Sequence, residues 1–201
     1  MRTITGLYDS YEDARTAVRA LEDAGVPSGD ISIVTNKVND VDVEGQGNYA
    51  AEGAGTGAGL GAVAGGAGGL LAGLGMLAIP GVGPVVAAGW LAATAAGAAA
   101  GAVAGGAVGG IVGAMAKEGV PQEDAEFYAE GIRRGGSVVV AKVDDGRVPE
   151  AHAILDQSSP VDMSSRRAAY VQQGWTGFDE TSEPYTADEI ATERERYRRQ
   201  L

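Results

Sequence analysis

Apolar residues change their spacing several times along the chain, and each change marks an element. Thr3–Tyr8 (TITGLY) and Asp30–Thr35 (DISIVT) are short runs rich in β-branched and apolar side chains, and both read as strands. Between them Ala14, Ala17, Val18 and Leu21 recur at i, i+3, i+4 and i+7, one buried face of a helix. Ser10 with Asp13 three residues later is a capping arrangement, and Gly25-Val26-Pro27 ends that helix. The unit is β-α-β, with a further short strand expected at Val38–Val43. Gly119-Val120-Pro121 echoes the earlier Gly-Val-Pro and opens a second helix. Glu123, Asp124 and Glu126 suit its N-terminal turn, and Ala125, Tyr128, Ala129 and Ile132 form its buried stripe. Gly135-Gly136 stops it, Ser137–Val143 (SVVVAKV) is the strongest strand signal, and Val148–Asp156 follows as a helix after a turn at Asp145-Gly146. From Ser158 the chain is polar and turn-rich until Thr186–Arg199, a charged helix capped by Thr186 with Glu189.

Charge then divides the chain. Residues 53–116 contain no Asp, Glu, Lys, Arg or His, and 42 of those 64 positions are Gly or Ala. Serine is absent there too, whereas leucine, isoleucine, valine and methionine recur, which separates the segment from a Gly/Ser linker. Glycine has a period: Gly53, Gly57, Gly61, Gly65, Gly69 and Gly73, then Gly97, Gly101, Gly105, Gly109 and Gly113, fall every fourth residue. Glycine costs a helix roughly 0.8–1.0 kcal/mol relative to alanine, so such a row makes sense only where the stripe admits a second backbone. Ile79-Pro80-Gly81-Val82-Gly83-Pro84 interrupts the segment as a turn. The reading is a glycine-zipper αα-hairpin with arms 53–79 and 85–116, a turn at 80–84, and self-association through the glycine rows. Arms of roughly 40 and 48 Å exceed the 30 Å of a bilayer core. Low Leu/Ile content and acidic flanks at Glu44, Glu52 and Glu118 are poor for insertion, but length and lack of charge make membrane association the leading reading, with a water-soluble homo-oligomer or filament as the alternative.

Composition narrows the chemistry. With 201 residues and a net charge of −12, nucleic acid is excluded as a partner, because phosphate neutralisation needs clustered Lys/Arg. No cysteine and a single histidine remove disulfides, thiolate metal sites and His clusters. Gly53-x-Gly55-x-x-Ala58 imitates a dinucleotide fingerprint, but it follows no strand and no Asp or Glu stands in 53–116 to hold a ribose. His152 reads as a surface helix residue, and Asp144-Asp145 and Glu123-Asp124 as turn and helix-start chemistry. Trp175, Phe178 and Tyr185 are the aromatics of the tail, placed either to fold back on the domain or to contact another subunit. No catalytic residue, cofactor, metal or small-molecule substrate is expected; a small-molecule-binding domain is the remaining alternative. Met1-Arg2-Thr3-Ile4 opens no apolar core region, so no signal peptide is expected, and the expected location is the cytoplasm or the inner membrane's cytoplasmic face.

Ile4–Leu7 followed by Tyr8-Asp9-Ser10 and the Ala14–Leu21 helix, together with Gly119-Val120-Pro121, Tyr128-Ala129-Glu130-Gly131 and Gly135-Gly136-Ser137-Val138-Val139-Val140, resemble the bacterial general stress proteins with a 17M-like domain. The likeness covers about 1–35 and 117–157, and the tail looks like an extension found in only some relatives. It implies a stress-induced protein of undefined biochemistry and carries over no catalytic residue. The expected architecture is α+β: a ferredoxin-like sandwich built from 1–52 and 117–158, the hairpin 53–116 inserted between, and a tail 159–201 with a C-terminal helix. The expected function is a non-enzymatic stress-response protein that forms a homo-oligomer.

Overall fold

The structure is a computed structural model that describes residues 1–36, 75–79, 81–94 and 110–198. Strands β1 (Arg2–Tyr8), β2 (Ile31–Asn36), β3 (Gly75–Ile79), β4 (Gly83–Gly89) and β5 (Ser137–Val143) form one antiparallel sheet in the order β1-β5-β2-β4-β3. The helices are α1 (Tyr11–Asp23), α2 (Gly110–Lys117), α3 (Gln122–Arg133), α4 (Val148–Gln157), α5 (Met163–Gln172) and α6 (Ala187–Arg198), and residues 90–94 are helical as well.

Local chemistry accounts for the element ends. Ser10 Oγ accepts the Asp13 amide at 3.1 Å and starts α1, whose buried face is Ala14, Ala17, Val18 and Leu21. Thr186 and Glu189 cap α6 reciprocally, the Glu189 carboxylate accepting the Thr186 amide at 2.8 Å. Helix α5 went unpredicted. Its N-cap is Asp162, which takes the Ser165 amide at 2.8 Å, but Tyr170 is its one buried residue, so no apolar period announces it.

Side chains alternate across the sheet and build two cores. Ile4, Tyr8, Ile31, Ile33, Val139 and Ala141 face α1 and α4. Leu7, Val34, Val85, Ala87, Val138 and Val140 face the other way, towards α2, α3 and the Tyr170 and Tyr197 rings of α5 and α6. β5 lies between β1 and β2, with Tyr8 opposite Ser137 on one side and Ile31 opposite Ala141 on the other. Burial on both faces is why its sequence is a continuous valine run rather than an alternation.

Two expectations change. The class is mixed α and β, but a ferredoxin-like sandwich keeps its helices on one face, and here helices cover both. The helical hairpin is also replaced where the structure describes it: 75–79 and 83–89 are strands, not helix, and the turn between them closes a β-hairpin. The physical reason is tertiary. β2, paired with β5 on one side, would expose unpaired N–H and C=O groups on the other, and β4 satisfies them with Ser32 opposite Gly89 and Asn36 opposite Val85. Ile79, Val85 and Val86 are β-branched and fit a pleated surface. The expected strand at Val38–Val43 and the glycine rows at 53–73 and 97–109 lie outside the described residues.

Candidate functional site

The C-terminal tail assembles the most chemically dense region of the described residues, on the α3 side of the sheet. Val161 donates its amide to the Leu7 carbonyl at 2.7 Å, which brings the chain alongside β1. α5 then lays Tyr170 against Phe127 of α3, ring centroids 5.5 Å apart, and Trp175 stacks edge-on to Tyr170 at 5.9 Å. The loop beyond crosses the β3–β4 turn. A Cβ on Gly81 would stand 2.7 Å from the Asp179 carbonyl oxygen, and one on Gly83 would stand 2.6 Å from the Pro184 ring, so the tail lies on the turn where it carries no side chain. Both glycines have positive φ, +72° and +101°.

Charges fasten this layer. Glu130, 1 % exposed on α3, accepts from Arg134 Nε at 2.6 Å and from Arg133 at 3.3 Å. Arg134 reaches across to Glu193 of α6 at 3.2 Å and also donates to Gln173. Tyr197 donates its hydroxyl to Glu193. Arg166 grips Asp9 with two parallel bonds of 2.8 Å while its guanidinium lies 3.5 Å from the centre of the Tyr197 ring. Burial opposes the charge on Arg134, but the Glu130 carboxylate more than offsets it, by proximity and hydrogen bond, and the guanidinium is held more firmly protonated than usual. Burial pushes the Tyr170 phenol up to about 12, although Arg166 and Arg134 pull the other way. Arg133 donates to the Glu183 carbonyl at 3.0 and 3.2 Å and covers the Tyr185 ring at 4.8 Å.

Asp9, Glu130 and Glu193 already hold Arg166 and Arg134, and the cavity bounded by Leu7, Asp9, Arg134, Arg166, Tyr170 and Tyr197 measures about 10 Å³, room for one water. Among the described residues no group of three or more His, Asp or Glu is placed to hold a metal ion, and no helix is long and apolar enough to cross a membrane. His152 is exposed on α4.

Of the residues singled out for self-association, Gly53, Gly57, Gly61, Gly65, Gly69, Gly73, Gly97, Gly101, Gly105 and Gly109 lie outside the described residues. Gly113 is half-buried in α2, whose neighbours Val112 and Met115 are core residues. Trp175 and Phe178 pack on the chain's own core, and Tyr185 lies under Arg133 and Arg134. The Glu130–Arg134–Glu193 network escaped sequence reasoning. Its one local sign is the i, i+4 spacing of Glu130 and Arg134, common on solvated helix faces.

A three-layer α/β domain covered on one face by its own tail is the class this geometry defines. Residues 3–80 match the family model of the heat induced stress protein YflT domain. The match runs from β1 to the end of β3, less than half of the chain. No curated protein and no solved structure matches it.

Proposed function

We propose that the chain is a non-enzymatic stress-response protein that works by self-association through the glycine-periodic parts of its charge-free segment. The carrying observation is the register of the β3–β4 hairpin. Gly75 stands opposite Ala87, so the chain enters and leaves the hairpin at one end, two residues after Gly73 and eight residues (past Gly89) before Gly97. A run of residues without side chains admits close backbone approach, and the scaffold around it is acidic. Low Leu/Ile content and the acidic flanks Glu44, Glu52 and Glu118 favour protein contacts over a membrane-crossing hairpin.

The test replaces Gly65 and Gly105 together by leucine. The expected result is loss of the assembled species in sedimentation with the α/β domain still folded, whereas an unchanged profile removes the glycine rows from the interface. Flotation with vesicles separates the two assemblies: the protein is expected to stay with the aqueous fraction as a homo-oligomer, and co-flotation with lipid would reverse that choice.

A further inference from the structure

We propose that the tail, residues 159–198, is a releasable strap that holds the β3–β4 hairpin against the domain and opens before the sheet does. The tail adds no strand to the sheet. Beyond the Val161–Leu7 backbone bond at its start, it is held by side chains: Ile190 over Gly135, Tyr185 under Arg133, Arg166 on Asp9, and Glu193 on Arg134. Units held in this way, without a share in the hydrogen-bonded ladder, open at lower free energy than the strands beneath them. A pivot stands at its root, where Ser159 takes a φ of +56°, the one positive φ at a non-glycine among the described residues. The strap crosses the molecule at the turn of the hairpin: Asp179 and Glu180 lie on Gly81, Pro184 lies on Gly83, and Arg133 anchors the loop between them through the Glu183 carbonyl. Opening it therefore bares the turn that connects β3 to β4, together with the Phe127 face of α3.

The two tryptophans make the strap testable in the full chain. Trp90 packs on the sheet, its indole donating to the Asp30 carbonyl, and Trp175 reports the tail. In a Trp90→Phe background, Trp175 fluorescence is expected to change on heating before the Val138–Ala141 amides lose protection from hydrogen exchange. Ile190→Ala with Tyr185→Ala, both on the tail side and so harmless to the domain's own core, is expected to raise the open fraction at least about 30-fold. Exchange at Val82–Ala87 should rise in parallel while Val138–Ala141 does not move. Coincident Trp175 and sheet transitions in both proteins would make the tail a fixed part of the core and overturn the proposal. So would an opened tail over an unchanged hairpin.

Discussion

Tyr170 concentrates the residue-scale physics of this protein. Its ring meets Phe127, Trp175 and Tyr197, carries the Arg134 guanidinium 4.3 Å from its centre, and is 1 % exposed. The folded state favours the protonated phenol, with its pKa raised from 10.0 to about 12. The contribution to stability is complete below pH 10 and is lost as pH rises through about 12, because the unfolded chain gives up that proton first. Alkaline unfolding followed by Trp175 fluorescence should therefore steepen between those values, and Tyr170→Phe should flatten that part of the curve. Nothing in the spacing of Arg166, Arg167, Tyr170 and Trp175 reveals this cluster, because its partners stand on α3 and α6, far away in sequence. Tyr128 and Ala129, by contrast, were legible as core from the helical period alone, and both are buried.

At the scale of elements, the β3–β4 turn is where sequence and packing part company. Ile79-Pro80-Gly81-Val82-Gly83-Pro84 reads correctly as a break, but the break joins two strands. The glycine period itself carried a hint. It is unbroken to Gly73 and again from Gly97, while the five fourth positions between them are Leu77, Gly81, Val85, Gly89 and Ala93. Bulky apolar residues enter the register at Leu77 and Val85, where the chain joins the sheet. A side chain at Gly83 meets both a positive φ and the Pro184 ring. Gly83→Ala is expected to cost about 1–3 kcal/mol, read as a lower thermal midpoint with the Trp175 signal moving first. A midpoint within error of the parent would mean that the tail yields at this crossing without loss.

On the scale of the whole molecule, charge decides how copies approach. The net charge of −12 is carried outside 53–116, so in the proposed self-association the scaffolds repel one another. Salt shortens the reach of that repulsion from about 10 Å at 0.1 M to about 3 Å at 1 M. Assembly should accordingly strengthen as salt is raised, in light scattering or sedimentation, while assembly held by ion pairs between copies would weaken.

Periodicity and capping determined most of the framework: β1, α1, β2, α3, β5, α4 and α6 all follow from local apolar spacing and chain punctuation. Such signals are local, since each needs only a buried face and a stop. Tertiary structure alone decided the state of 75–89, the second helical layer and the cis docking of the tail. A repeat of four residues keeps one face of a helix, but it is also a multiple of two and keeps one face of a strand. The vacant edge of β2 settled the matter, because main-chain groups left without partners in a buried sheet cost more than the preference of an Ala/Gly-rich sequence for either form.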